Sequence, residues 1–200
     1  MTITYVFENK LYVNMTNRCP NHCEFCLRNN TDSVGDSGNL WLEKEPDKEE
    51  ILADILKRDL SSFPQIVFCG YGEPTCRLDD MLWICKNIKD RSDIEIRVNT
   101  NGLSSLINNR DTAKEFSSLV DVLSISLNAP TPQKYDDLCH SDFGLNAYDC
   151  VINFAKEVKN YVPKVYLSIV NYKIDEDEID KCKEICSDIG VSFRLREYIE

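Results

Sequence analysis

The chain has 200 residues, enough for one domain with a substantial core and too few for two ordinary ones. Asp and Glu number 34 against 23 Lys and Arg, a formal charge of −11 that argues against general nucleic-acid binding. No window reaches the apolar length needed to cross a bilayer, and Met1–Lys10 has neither the basic nor the apolar part of a leader, so a cytoplasmic location is expected. Ten cysteines in such a compartment point to metal ligands or reactive thiols, not to a disulfide framework.

In chain order, Thr4–Phe7, the turn Glu8-Asn9-Lys10 and the strand-like run Leu11–Met15 read as an N-terminal β-hairpin. A cysteine-rich turn follows, then an irregular stretch from Leu27 to Glu45 with Asn29-Asn30, Gly35 and Gly38, long enough to read as a lid or substrate loop. Amphipathic Glu49–Leu60, Leu78–Ile88, Thr112–Leu119, Ala147–Val158 and Glu178–Ile189 alternate with strand-like Gln65–Cys69, Ile94–Val98, Val122–Leu127, Lys164–Val170 and Val191–Leu195. Thr131-Pro132 has the form of an N-cap with proline in the first turn, the acidic run Asp175–Glu178 suits a helix N-terminus, and Gly190 suits a helix C-terminus. Six strand–helix alternations with no linker predict one α/β domain over 1–200 with a parallel sheet.

Directly after the first strand stands Cys19-Pro20-Asn21-His22-Cys23-Glu24-Phe25-Cys26, a C-x3-C-x2-C. Three thiolates suit an iron–sulfur cube that keeps one iron free for a small ligand, since four cysteines are the usual complement. A zinc site is the alternative; it needs a fourth ligand, and His22 is awkwardly placed between two of the cysteines. Cys182 and Cys186, spaced i, i+4, read as buried small hydrophobes before a metal pair, and Cys139-His140 as structural. Cys69 and Cys76 flank a glycine motif and are the remaining thiols expected nearest the site.

The cysteine motif, with Phe25 before its last cysteine, resembles that of the radical SAM superfamily, and the resemblance continues in order along the chain. Gly70-Tyr71-Gly72-Glu73-Pro74 is similar to the motif that meets the methionine end of S-adenosylmethionine, and Asn99-Thr100-Asn101-Gly102 to the family's N/E-T-N-G element. Ser124-Ile125-Ser126-Leu127-Asn128-Ala129 is similar to the ribose-contacting V-S-L-D-A, with Asn128 in place of the acid. Leu11–Arg18, Val34-Gly35 and Leu40–Glu43 further resemble the TatD family nuclease-associated radical SAM proteins.

The resemblance implies a partial TIM-type (βα)6 barrel with parallel strands and a single oxygen-sensitive [4Fe–4S] cluster on Cys19, Cys23 and Cys26. It implies reductive cleavage of S-adenosylmethionine to a 5′-deoxyadenosyl radical, which takes hydrogen from an unidentified substrate, a macromolecule, peptide or nucleotide-like molecule. Phe25 would hold adenine, Gly70, Gly72, Glu73 and Pro74 the methionine end, and Asn99, Asn101, Ser124, Ser126 and Asn128 the remaining cofactor-binding positions. A flavodoxin or ferredoxin would supply electrons, and a functional link to a TatD-type nuclease follows from the group. The alternative is a non-catalytic iron–sulfur electron-transfer or sensor protein.

Alternation along the strands separates Leu11, Val13, Ile96, Val98, Ile125 and Leu195 from Tyr12, Asn14, Arg97, Asn99, Ser126 and Arg196. The apolar set is expected to face surrounding helices and the polar set a charged lumen. A buried charge needs a partner, so a salt bridge from Glu95 to Arg97, Arg194 or Arg196 is predicted. Arg196, nearest the mouth, is expected to reach the carboxylate of S-adenosylmethionine or an anionic substrate group. The alternative places the last strand at an open edge with its arginines in solvent.

Overall fold

The computed structural model describes residues 1–199. Seven strands form one sheet in the order β1 (Thr4–Phe7), β2 (Lys10–Val13), β3 (Gln65–Phe68), β4 (Glu95–Thr100), β5 (Val122–Ser126), β6 (Lys164–Asn171) and β7 (Ser192–Glu197). The first pair is the antiparallel hairpin, with Thr4 opposite Val13, and every later pair is parallel. Spatial order equals chain order, so each parallel strand pairs with the one before it in sequence. β1 and β7 remain the two edges, so the barrel is partial and open. No described helix is long and apolar enough to cross a membrane.

The helices are α1 (Lys48–Leu56), α2 (Leu78–Lys89), α3 (Ser104–Asn108), α4 (Pro132–Cys139), α5 (Asn146–Val158) and α6 (Glu176–Ile189). Local chemistry fixes their ends. The Thr131 side chain accepts from the Lys134 amide ahead of Pro132, and Asp175 and Glu178 form a reciprocal capping box at α6. Gly190 takes the left-handed conformation (φ 80°) that closes α6.

Two sequence expectations need correction. The helix expected over Thr112–Leu119 is a single 3-10 turn, Ala113–Phe116, because Ser118 at φ 63° cannot continue a right-handed helix. α1 stops at Leu56, since the Asp59 carboxylate accepts from the Ser61 amide (3.1 Å) and starts a separate 3-10 turn at Leu60–Ser62. α3 was not anticipated; its five residues are too few to show a helical period.

The apolar sides of β2–β6 pack into one core with the helices, including Leu11, Val13, Phe68, Ile96, Val98, Leu123, Ile125 and Leu167, all fully buried. Cys182 and Cys186 belong to that core, as small hydrophobes do. Trp83 lies against it, with the Lys48 ammonium 5.0 Å above the ring.

Candidate functional site

The cysteine loop leaves β2 through Asn14–Arg18 and is fixed by backbone bonds to a segment far along the chain. The His22 amide donates to Cys139 O (2.9 Å), the Glu24 amide to Leu138 O (3.0 Å) and the Asp142 amide to Pro20 O (2.8 Å). Asn21 Nδ2 donates to the Tyr135 hydroxyl (3.0 Å), inside the wall that the end of α4 builds behind the loop. From the other side the Arg28 guanidinium donates to Asn17 O, Tyr71 O and Asn21 O at 3.2–3.4 Å. Cys19, Cys23 and Cys26 are unpaired and partly exposed on this braced loop.

Burial pushes the Cys19 thiol up to about 12, with the Glu73 carboxylate adding to it. Cys23 is raised by its hydrogen bond with Cys139 and then by burial, and Cys26 by burial. Thiols raised in this way must give up their protons for a metal centre to bind. Cys139 is fully buried against Cys23, and its Sγ accepts from Asn128 Nδ2 at 3.5 Å. Read from sequence as structural, it adjoins the site itself, at the last residue of α4.

Gly70-Tyr71-Gly72-Glu73 runs across the exit of β2. A Cβ on Gly70 would lie 2.0 Å from Asn14 Oδ1, and one on Gly72 would lie 2.3 Å from the Thr16 carbonyl oxygen. The glycines are thus demanded by contact between two segments of the chain. The Glu73 amide completes the junction by donating to Arg18 O (2.8 Å). Glu73 itself is 4% exposed. Its Oε1 accepts from the Thr75 amide and the Thr75 and Thr100 hydroxyls, and its Oε2 from the Asn101 amide, all at 2.7–3.0 Å. Burial raises its carboxyl while these four donors oppose the rise. The side chain read as a methionine contact is therefore first a clamp between β3 and β4, and Pro74, buried, opens the 3-10 turn it caps.

Phe25 meets Tyr172 edge to face, with ring centroids 5.9 Å apart. Asn99 Oδ1 accepts from Arg97 Nε at 2.8 Å, and Ser124 is buried. The Asn101 Oδ1 accepts from the Leu103 amide, whereas its buried Nδ2 has no partner. Arg196 Nη2 donates to Ser126 Oγ (3.3 Å) and Asn128 Oδ1 (3.4 Å), while its buried Nε has none. Cys69 feels Asn99, Arg97 and Arg196, and Cys76 feels Glu73 and Cys19, so both lie beside the site. Two unpartnered buried donors above a three-thiol loop fit a cluster together with a polar ligand that carries acceptors. No three His, Cys, Asp or Glu side chains among the described residues converge as a single metal ion requires; a cube is held at separate corners and does not need them to.

The expected Glu95–arginine bridge is not formed. Glu95 Oε2 meets Lys164 Nζ at 2.7 Å and its Oε1 accepts from Gln65 Nε2 at 2.5 Å. Glu95 stands at the first position of β4, level with Gln65 and two positions before Arg97, and its partner Lys164 opens β6 in the row of Arg97. Arg194 is exposed at the edge, and Arg196 turns inward.

The segment 27–45 is tied down along its length. Asn14 Nδ2 donates to Leu40 O (2.7 Å), Asn17 Nδ2 to Leu42 O (2.8 Å), and the Tyr71 hydroxyl to Thr31 O. Leu40 and Leu42 are buried, and Trp41 packs edge to face on Tyr71. Two clefts, of about 440 Å³ around Lys159, Tyr166 and Gly190 and about 350 Å³ between α3 and α5, do not adjoin the cysteine loop.

The family model of the Radical SAM superfamily matches residues 13–185. The tungsten-containing aldehyde ferredoxin oxidoreductase cofactor-modifying protein of Pyrococcus furiosus is 27% identical over 194 residues, 92% of this chain and 50% of the relative. A probable GTP 3′,8-cyclase of Methanocaldococcus jannaschii is 28% identical over 192 residues, 94% of this chain and 58% of the relative. The chain thus spans about half the length of the curated relatives it matches. Among solved structures, Streptococcus suis SuiB bound to its precursor peptide SuiA superposes with a TM-score of 0.68 at 19% identity, over 98% of this chain and 41% of that one.

Proposed function

Since the chain belongs to the radical SAM superfamily, we propose that it is an enzyme that holds one [4Fe–4S] cluster on Cys19, Cys23 and Cys26 and uses S-adenosylmethionine to take hydrogen from a second substrate. The carrying observation is the three-thiol loop, braced from α4 and Arg28 at the C-terminal ends of the strands, where parallel barrels keep their chemistry. The bound group supplies one-electron cleavage of S-adenosylmethionine and hydrogen abstraction, which side chains cannot perform.

The chain's own part is to bind and orient. Phe25, set on Tyr172, offers a ring face for adenine. The backbone of Gly70–Pro74 is held against Thr16–Arg18 and presents the methionine subsite, with Glu73 fixing it to β4. Asn101 Nδ2 and Arg196 Nε are donors without partners, and Asn99, Ser124, Ser126 and Asn128 supply the polar wall beside them. A flavodoxin- or ferredoxin-type protein is the fitting electron donor in the cytoplasm.

Membership of the TatD family nuclease-associated group, and with it a functional link to such a nuclease, rests on Leu11–Arg18, Val34-Gly35 and Leu40–Glu43. Asn14 and Asn17 of the first segment bond the backbone of the third, so these residues act as one packed seam. Replacing Cys19, Cys23 and Cys26 together by alanine should abolish both bound iron–sulfur absorbance and 5′-deoxyadenosine formation. Retention of either overturns the reading.

A further inference from the structure

Arg97, Arg194 and Arg196 come to one side of the sheet by register alone. One face passes from Asn99 on β4 through Ser124 and Tyr166 to Ser192 on β7. Arg97 precedes Asn99 by two positions, and Arg194 and Arg196 follow Ser192 by two and four, so all three share that face. Burial and then Arg194 lower the Arg97 guanidinium; burial lowers that of Arg196, with Arg194 and Arg97 adding to it. The three therefore lie in one another's field.

None of the three has a carboxylate partner among the described residues; the nearest expected acid, Glu95, is held by Lys164. Glu73, the buried acid nearby, is taken by its four donors. Each guanidinium carries five N–H donors and stays charged, yet among the described residues the hydrogen bonds they make are only Arg97 to Asn99 and Arg196 to Ser126 and Asn128. In a chain of net charge −11, acids were available to neutralise them. Three like charges gathered without a counter-ion repel, and a protein keeps such an arrangement where a ligand completes it.

We propose that Arg97, Arg194 and Arg196 form a subsite inside the partial barrel for the phosphate group of a small-molecule substrate. This rests on the reading of the lumen as the substrate side of the cysteine loop. A phosphate carries nearly two charges and three strong acceptor oxygens at neutral pH, and guanidinium forks match them in pairs. A carboxylate, with one charge and two oxygens, leaves the trio unbalanced. The open edge at β7, where Arg194 is exposed, gives the group a way in.

The test titrates inorganic phosphate, and separately succinate, into the cluster-reconstituted full chain at constant ionic strength, followed by calorimetry and thermal denaturation. Saturable binding of phosphate and not of succinate is expected, with Arg97→Gln and Arg194→Gln each weakening it tenfold or more. In phosphate-free buffer Arg97→Gln should raise the melting temperature, because one of three repelling charges is gone; a merely structural arginine would lower it. Lys181→Gln, on the outer surface of α6, should change neither. Absence of saturable phosphate binding, equal binding by succinate, equal binding by the Arg97→Gln/Arg194→Gln variant, or a lowered melting temperature for Arg97→Gln each overturns the proposal. Formation of 5′-deoxyadenosine by the unaltered protein is scored separately, so failure of the radical reading and failure of the phosphate subsite are distinct results.

Discussion

Phe68 and Cys69 are neighbours in the chain at the end of β3, and they serve opposite sides of the sheet. Phe68 is fully buried in the core that the helices close, with Met81 and Ile84 of α2 in the same cluster. Cys69 looks the other way, toward Arg97, Asn99 and Arg196. On the outer side hydrophobic burial stabilises the fold at about 25 cal/mol per Å². On the inner side the same strands carry unmatched donors and like charges, which stabilise nothing until something binds. One sheet therefore separates stability from chemistry by the period of its strands.

Substitutions on the two sides should differ in kind. The largest effect belongs to the outer side: Phe68→Ala, by transfer loss plus cavity, should cost about 3–5 kcal/mol, read as a lowered urea midpoint. A cost below ~1 kcal/mol would break the comparison. Glu73 sits on the border, a polar residue serving architecture. Glu73→Gln replaces an acceptor for four donors by a group that itself donates, so a loss of roughly 2–3 kcal/mol is expected, again by urea denaturation. If stability is unchanged while affinity for S-adenosylmethionine falls, Glu73 belongs wholly to the inner side.

The smallest effect lies at the hairpin edge. The Thr4 hydroxyl donates to Asp54 Oδ2 (2.7 Å), and Lys57 Nζ meets Oδ1 at 3.1 Å. Burial raises the Asp54 carboxyl, but the Thr4 and Lys57 bonds outweigh it and hold the group below the usual aspartate range. A depressed carboxyl contributes stability above its unfolded pKa and loses it as pH falls through the folded one. Asp54→Asn should thus cost under about 1 kcal/mol at neutral pH, given the exposed lysine. The gap to the unaltered protein should begin to shrink near the unfolded aspartate value, about pH 4, and close only below the depressed value of the folded state. A gap that stays constant in acid would remove the charge from the account.

What could be read from the residues follows the same division. The alternation along β2–β7, the caps at Thr131 and Gly190, the acidic opening of α6 and the cysteine spacing are local patterns, and local patterns are visible in a sequence. The partner of Glu95 is not local: it depends on how high each strand stands in the sheet, which register fixes only when all strands pair. Glu73 read as a ligand contact because its motif resembles one, whereas its four donors come partly from β4, beyond any sequence window. Cys139 was passed over for the same reason. Its contact with Cys23 spans more of the chain than the bond from Asn21 to Tyr135, itself 114 residues apart.

That distance sets a clock during synthesis. The ribosome delivers Cys19, Cys23 and Cys26 first, and the wall behind them, Tyr135 to Asp142, emerges only after more than a hundred further residues have been made. At about 5–20 residues per second, the nascent loop waits several seconds with three thiols and no backing. On the proposed reading of this loop, iron–sulfur delivery to the braced site is a late event, after β5 and α4 have left the ribosome. Until then the cell must keep those thiols reduced, and a chain released before residue 138 would carry the whole motif without the pocket that gives it shape.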